Sequence, residues 1–106
     1  MPEICRFWGI IIRMFDREHP PPHFHAYYGE YEGVFRISDG KLLGGDFPVK
    51  ETRFVAAWAS MCKDELKNNW DRMQAGRAIQ KINPPKSLST IAVSVDFRVL
   101  LNRFLI

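Results

Sequence analysis

The three histidines of the chain lie within one short stretch, EHPPPHFHAYYGE, at residues 18–30. His23 and His25 are two residues apart, so on a β-strand their side chains would point to the same side of the sheet. His19 precedes them across three consecutive prolines, and Tyr27 follows them on the same side of the strand. Imidazoles that share one face suit two kinds of chemistry, metal coordination and general acid–base catalysis.

Metal coordination is the first of these alternatives. Two imidazoles and a carboxylate are a usual ligand set for zinc or ferrous iron, with an open position for water. The spacing His23-x-His25-x4-Glu30 supplies such a set and superficially matches the first metal motif of cupin barrels. However, the chain has no later histidine for a final ligand, and its long helical segment fits poorly in a small all-β barrel. A metal site at His23, His25 and Glu30 is therefore an alternative, and the leading expectation is a site without a cofactor.

General acid–base catalysis without a metal is the second alternative. One histidine could activate a ribose 2′-hydroxyl while the other protonates the leaving oxygen. Arginines could hold the phosphate, and a tyrosine could stack on a base. A third, purely structural role would have each imidazole bond a neighbouring carbonyl. The predicted catalytic residues are His23 and His25, and the predicted substrate contacts are Arg13, Arg36, Tyr27 and His19.

The composition is that of one small soluble domain. The chain has 106 residues, of which 46% are hydrophobic and 25% charged, an ordinary balance for a globular protein. Arg6 and Arg13 interrupt its first apolar stretch, so we expect no membrane span, no signal peptide and a cytoplasmic location. The net charge of +3 is compatible with RNA as a partner without requiring it. Cys5 and Cys62 match no CxxC pattern, and we expect reduced, buried thiols.

The predicted strands occupy the first half of the chain. Alternating or β-branched and aromatic residues identify them. Gly29-Glu30 is a plausible two-residue hairpin turn, and Asp39-Gly40 predicts a second hairpin through a type I′ turn. These strands cover residues 4–15, 23–28, 31–37 and 41–45.

The hydrophobic period becomes helical after Pro48. The pattern predicts one long helix that ends at Gly76, or two helices with a break near Lys63-Asp64. Asp46 and Asp64 are candidate helix caps. The apolar stripe is expected to pack on the sheet, and its members are Phe54, Trp58, Met61, Cys62, Leu66, Trp70 and Met73.

These elements predict an α+β fold: an antiparallel sheet of three to five strands with one long or broken helix packed on one face. Residues 1–85 would form this single domain. Residues 86–106, with a strand pattern at 91–99, would form a C-terminal apolar strand or tail packed on the domain or on a partner. Because an exposed apolar strand invites association, the tail could also join two copies in a homodimer.

Four motifs occur in order along the chain, and together they resemble the bacterial family named domain of unknown function 4160. They are Pro-x-Ile-x-x-Phe-x-Gly-Ile at 2–10, Pro-Pro-His-Phe-His at 21–25, Asp-Gly-x-Leu at 39–42 and the helix Trp-(x)n-Leu-x-x-Asn-Trp at 58–70. The resemblance covers about residues 1–83 and implies no established activity. It implies a small protein often encoded beside a second small open reading frame, as in toxin–antitoxin pairs. The family's histidine motif maps onto His23 and His25.

The leading hypothesis is a small protein of a toxin–antitoxin-like module that acts on RNA or another nucleic acid, for which a metal-independent ribonuclease with a histidine pair is one possible mechanism. The alternative is a non-catalytic binding module, either a transcriptional regulator or the neutralising partner of a cognate small protein. Acidic residues interrupt the basic ones in the helical segment, which counts against a recognition helix for DNA. A third hypothesis is a histidine-ligated, metal-dependent enzyme.

Overall fold

The computed structural model describes residues 2–86, which form a five-stranded antiparallel sheet followed by two helices. The strands lie in the sheet in the order of the sequence, so neighbours in the chain are also neighbours in space. The strands are β1 (Glu3–Phe7), β2 (Ile10–Arg13), β3 (His23–Tyr28), β4 (Tyr31–Arg36) and β5 (Leu42–Asp46), and the helices are α1 (Val49–Met61) and α2 (Lys63–Gln74). The predicted α+β class, with an antiparallel sheet and a broken helix, is confirmed.

The first predicted strand is wrong in one respect, because residues 4–15 form a hairpin instead of one strand. Trp8 and Gly9 both have positive φ, +48° and +80°, and make a two-residue turn between β1 and β2. Such a turn matches the twist of the flanking strands. Sequence reasoning missed it because apolar residues continue on both sides of the turn, and only Gly9 marks it.

The other two hairpins differ in how well they were predicted. Gly29-Glu30 joins β3 to β4, with φ +56° at Gly29, as predicted. Between β4 and β5 only Gly40 has positive φ, and its N–H donates to the carbonyl of Arg36 at 2.8 Å. The predicted type I′ turn at Asp39-Gly40 is therefore wrong. The carboxylate of Asp39 instead accepts hydrogen bonds from Arg36 and the backbone N–H of Lys41, which favours a longer local turn.

One face of the sheet carries the core. Phe24 of β3 stacks on Phe35 of β4 with ring centroids 5.6 Å apart, and Trp58 of α1 meets Phe24 edge-on at 6.0 Å. All three side chains are buried. Arg13 and His25, which lie opposite each other on β2 and β3, point to the other face and are half-buried. The sheet therefore has a covered face and an outward face.

The helical segment breaks at Cys62, one residue before the predicted Lys63-Asp64. Neither predicted aspartate caps a helix, because Pro48 and Cys62 hold the N-cap positions without a side-chain hydrogen bond. The break interrupts the apolar stripe, so Met61 is 46% exposed, contrary to the prediction that it packs in the core. Within residues 2–86 no helix has the length and apolar character needed to cross a membrane.

Helix α2 ends at Gln74, and Gly76 completes a hydrogen-bonded cap after it, in agreement with the prediction that this glycine ends the helix. Gly76 has φ +73°, its N–H donates to the carbonyl of Met73, and the N–H of Arg77 donates to the carbonyl of Arg72. This pair of bonds is the Schellman motif, which glycine favours because it lacks a Cβ. The cap fixes the path of the chain as it leaves the helix.

The segment 77–86 has no regular structure but is attached to the sheet and helices at several points. The N–H of Ile82 donates to the carbonyl of Ile4 on β1, and the side-chain amide of Asn69 exchanges two hydrogen bonds of 2.8 Å with the backbone of Gln80. The predicted strand at 91–99 and the proposed dimer through the tail lie outside the described residues.

Both cysteines are free and buried, in agreement with the sequence prediction. Burial raises the pKa of the Cys5 thiol to about 11 and that of Cys62 to about 12. Thiols with such high pKa values are poor nucleophiles and poor metal ligands near neutral pH.

Candidate metal centre

Two strand residues and one loop residue bring their side chains together at one end of the sheet. Strand β3 places His23 and His25 on the same side, with ring centroids 5.4 Å apart. The carboxylate of Glu18 lies between them: Oε2 is 3.2 Å from Nε2 of His23, and Oε1 is 2.5 Å from Nε2 of His25. One ligand-capable atom from each residue lies within 4.8 Å of the others.

The loop between β2 and β3 folds back so that Glu18 reaches the strand that follows it. Arg17 has φ +58°, a left-handed conformation that is unfavourable for a residue with a Cβ. The side-chain amide of Gln74, at the end of α2, donates to the carbonyl of Glu18 at 3.2 Å. The loop and the helix end thus both fix the backbone position of Glu18.

The outer nitrogens of both imidazoles face oxygen acceptors. Nδ1 of His23 is 2.8 Å from the carbonyl oxygen of Pro21, and Nδ1 of His25 is 3.6 Å from Oε1 of Glu32. Because a carbonyl oxygen can only accept, Nδ1 of His23 carries the hydrogen. The contact of His23 with Pro21 is a hydrogen bond of the kind that orients metal-binding histidines and leaves Nε2 free. The distance of 3.6 Å to Glu32 is too long for a hydrogen bond, and Nδ1 of His25 is buried without a hydrogen-bond partner.

In the cluster, a neutral His23 has no hydrogen to share with Glu18. With its hydrogen on Nδ1, a neutral His23 has only a lone pair on Nε2, and that lone pair faces a carboxylate oxygen of Glu18 at 3.2 Å. Two acceptors do not bind each other. The arrangement is satisfied either by a second proton on the imidazole or by a cation held between the nitrogens and the carboxylate.

Aromatic side chains enclose the histidines and leave the carboxylate more open. The rings of Phe15 and His25 pack edge to face with their centroids 4.8 Å apart, and the ring centroids of Trp70 and His23 are 5.1 Å apart. The histidine side chains are 10% and 14% exposed, against 27% for Glu18. Burial acts to raise the pKa of Glu18, but its hydrogen bond with His25 and its close contact with His23 outweigh burial and hold the pKa below its ordinary range.

The carboxylate in the cluster is Glu18 and not the Glu30 named by sequence spacing. Glu30 is exposed in the β3–β4 turn, at the opposite end of β3 from His23. Among the described residues, Glu18, His23 and His25 form the one group of three or more such side chains suited to a metal ion. The sequence did offer one signal for Glu18. It is an acidic residue just before the three prolines, in a loop that could fold back and bring its carboxylate to the histidines of the following strand.

Two predicted substrate contacts, Arg13 and Tyr27, lie beside His25 on the outward face of the sheet. The register pairs Arg13 with His25, and its guanidinium lies over the ring of Tyr27 at 5.5 Å. Burial, together with a hydrogen bond to Glu32, raises the pKa of Tyr27. Because Glu32 also approaches His25, these side chains form one connected polar group next to the cluster.

The other two predicted contacts lie elsewhere. His19 is exposed in the loop and does not belong to the cluster. Arg36 lies opposite His23 in the sheet register, but its guanidinium forms two hydrogen bonds, of 2.9 and 2.5 Å, with the carboxylate of Asp39. That bonding holds the pKa of Asp39 far below its usual range and gives Arg36 a partner within its own turn.

Comparison with known proteins identifies the family. A family model described as a domain of unknown function (DUF4160) matches residues 9–71, which include the loop, both histidines and α1. The resemblance inferred from the motifs is confirmed, although the match is shorter than the predicted residues 1–83. No curated protein and no solved structure matches the chain.

Proposed function

The chain belongs to the DUF4160 family, and we propose that it is a metal-dependent hydrolase whose centre is formed by Glu18, His23 and His25. The observation that carries this proposal is the convergence of three ligand-capable atoms within 4.8 Å. Two imidazoles and one carboxylate, with one position left for water, are the protein ligands of many hydrolytic zinc sites. The same set also suits ferrous iron.

The distances suit a zinc ion after small side-chain adjustments. Ligand atoms about 2.0–2.2 Å from zinc lie roughly 3.3 Å apart in a tetrahedron, and Nε2 of His23 lies 3.2 Å from Glu18. The 2.5 Å contact between His25 and Glu18 is a direct hydrogen bond, and it would lengthen as both atoms bind the ion instead. The hydrogen bond between Nδ1 of His23 and Pro21 needs no change. The carboxylate of Glu32, 3.6 Å from Nδ1 of His25, would have to move closer to accept its hydrogen.

Each residue of the centre has a defined task. Glu18, His23 and His25 would hold the ion, which lowers the pKa of a bound water to about 7 and so supplies a nucleophile at neutral pH. Pro21 would keep Nε2 of His23 available. Glu32 would do the same for His25 once its carboxylate moves within hydrogen-bond distance of Nδ1 and the hydrogen on Nε2 is lost to the ion. In the hydrolytic step the water oxygen adds to the electrophilic atom, the bond to the leaving group breaks, and the leaving group departs with the water's proton.

Metal titration of the purified chain tests the proposal, with matched variants as controls. After treatment with a chelator, Co²⁺ is added and the visible spectrum of tetrahedral cobalt is followed. We expect one ion per chain in the wild type and a loss of more than about 100-fold in affinity for Glu18→Gln and His25→Gln, beyond the 10–100-fold typical of outer-shell changes. Glu30→Gln and His19→Gln should bind as the wild type does.

The opposite pattern would contradict the proposal. A wild type that binds no metal, or a site that depends on Glu30 and not on Glu18, excludes the centre described here. If metal binds, hydrolysis of p-nitrophenyl acetate and bis(p-nitrophenyl) phosphate should follow the bound metal and stop on chelation. Turnover that persists without metal would exclude a metal-dependent mechanism.

A second candidate function is metal-independent RNA cleavage within a cytoplasmic toxin–antitoxin-like module. The observation that favours it is the group formed by Arg13, Tyr27 and His25, which could contact phosphate, base and 2′-hydroxyl together. Its test is induced expression in bacteria of the wild type beside His23→Ala/His25→Ala, with growth and total RNA integrity as readouts. RNA degradation that survives a chelator in vitro favours this candidate; two folded, harmless proteins favour a regulator or a neutralising partner.

A further inference from the structure

A groove of about 600 Å³ lies next to the centre, between the loop after β2 and the end of α2. Its floor is mainly apolar, with Phe15, Met73 and Ile79, and its charged lining residues are Asp16 and Arg77. The volume is that of a pocket for a small molecule. No ion pair joins Asp16 or Arg77 to another described residue.

The groove and the proposed metal centre share a wall. Phe15 lines the groove and also packs edge-on against His25 at 4.8 Å. Asp16 is two residues before Glu18 in the same loop, and Met73 is next to Gln74, whose side chain bonds the carbonyl of Glu18. A molecule seated in the groove would therefore lie close to the centre and would contact the same Phe15 ring that packs on His25.

The lining selects a class of ligand by its chemistry. Burial of an apolar group on the floor is favourable, whereas a run of phosphates has no apolar part to bury and would meet one cation together with one anion. Arg77 suits a carboxylate or carbonyl oxygen, and Asp16 suits an ammonium group. An apolar body with an ammonium group and a carboxylate or carbonyl oxygen describes a short peptide or another amide or ester of a hydrophobic amino acid.

We infer that the groove binds the apolar side chain of the substrate and that the substrate is an amide or ester of a hydrophobic amino acid. This inference rests on the proposed metal-dependent hydrolysis. The water oxygen would add to the carbonyl carbon, the C–N or C–O bond would break, and the amine or alcohol would leave with the water's proton. The products are a carboxylic acid and that amine or alcohol.

The groove can be tested with hydroxamates, which bind zinc at one end and carry an alkyl chain at the other. The full chain loaded with Zn²⁺ is titrated with acetohydroxamate and with hexanohydroxamate, which has four more methylenes. Each buried methylene should tighten binding about fourfold, so we expect hexanohydroxamate to bind at least roughly 50-fold more tightly. Equal affinities of the two probes would overturn the inference.

Two variants of the groove and one remote control sharpen this test. Ile79→Glu puts a charge on the floor of the groove, and Ala78→Phe fills the groove without adding a charge. In both variants hexanohydroxamate should bind less than about threefold more tightly than acetohydroxamate. Neither should change the affinity for acetohydroxamate or the bound zinc. Val49→Glu, at a position that is 71% exposed and outside the groove lining, should keep the full gain. A gain that survives in both groove variants would place the alkyl chain elsewhere.

The substrate class is tested by turnover of the zinc-loaded chain. Leucine p-nitroanilide should be hydrolysed faster than bis(p-nitrophenyl) phosphate, and Ala78→Phe should slow the leucine substrate more than p-nitrophenyl acetate. A preference for the phosphodiester would overturn the assigned class. If the chain binds no zinc, the proposed function and this inference both fail; if it binds zinc but shows no dependence on chain length, the inference alone fails.

Discussion

Two charged groups at the ends of β3 and β4 show how differently a protein can use opposite charges. Arg36 and Asp39 lie in an exposed turn and satisfy each other through two hydrogen bonds. On the neighbouring strand, opposite Arg36, His23 and His25 share one carboxylate, that of Glu18. Oxygen acceptors also face Nδ1 of both imidazoles. The first group is complete by itself, whereas the second has more acceptors than neutral imidazoles can satisfy, and a cation would complete it.

The largest expected effect separates the two groups by metal affinity. His23→Ala/His25→Ala removes two ligands and should weaken Co²⁺ binding by far more than about 100-fold, since even outer-shell changes cost 10–100-fold. Arg36→Ala and Asp39→Ala should leave the affinity unchanged. Isothermal titration of the three variants measures this difference. A loss in the Arg36 variant equal to that in the double variant would show that the two groups act as one.

Metal should also stabilise the fold, and only through the group formed by Glu18, His23 and His25. Zinc at 100 times its dissociation constant adds about 2.7 kcal/mol to the free energy of unfolding of a protein that binds it only when folded. For a domain of this size, the unfolding midpoint should rise by roughly 10–20 °C. Thermal unfolding with and without zinc tests this for the wild type and Glu18→Gln. An equal rise in Glu18→Gln would assign the stabilisation to another site.

Glu32 should have a smaller effect because it would accept the hydrogen on Nδ1 of His25 in the metal-bound state without binding the ion itself. Glu32→Gln removes the carboxylate that lies 3.6 Å from Nδ1 of His25, and the expected loss of metal affinity is about 10–100-fold. Glu30→Gln is the matched control on the neighbouring turn. If Glu32→Gln binds metal as tightly as the control does, Glu32 has no role in selecting the tautomer.

The strained loop residue should affect stability modestly. A left-handed conformation costs a residue with a Cβ roughly 1–2 kcal/mol, so Arg17→Gly should raise the free energy of unfolding by about 1 kcal/mol after the added entropy of glycine in the unfolded chain is subtracted. Arg53→Gly, within α1, should instead lower it by about 1 kcal/mol. Urea unfolding of both variants compares them. A destabilised Arg17→Gly variant would mean that the Arg17 side chain contributes contacts that outweigh the strain.

The smallest effect concerns the exposed pair and its dependence on pH. Hydrogen bonds from Arg36 hold the pKa of Asp39 below its ordinary value of 3.8, so the pair stabilises the fold above that pH. The contribution is lost as the pH falls through the lower pKa of the folded state. Thermal unfolding of the wild type and Asp39→Asn should show a small difference at neutral pH and none in strong acid. A difference that grows in acid would contradict this assignment.

Much of the fold could be predicted because its signals are local. Alternation identified β3, and the glycines at 29 and 76 marked a turn and a helix end. The turn at Trp8-Gly9 was missed because its flanking residues are as apolar as a continuous strand. The helix break fell one residue from its predicted place because Cys62 has no side chain that signals a cap.

The site was predicted in part for the same reason. His23 and His25 share a strand, so their common side follows from a period of two. Glu18 comes to them through a loop that folds back across three prolines, and no spacing rule along the chain describes that return. Arg36 was proposed as a phosphate contact, yet the aspartate three residues later binds it locally. The fold of a loop brought Glu18 to the histidines, and a short turn brought Asp39 to Arg36.

An anomalous difference map from a crystal grown with zinc would show whether an ion binds between Glu18, His23 and His25. We predict one strong peak at about 2.0–2.2 Å from Nε2 of His23, Nε2 of His25 and a carboxylate oxygen of Glu18. Nδ1 of His23 should still bond the carbonyl of Pro21. A map without a peak there, in which Glu18 and His25 keep their direct hydrogen bond at saturating zinc, would contradict the account.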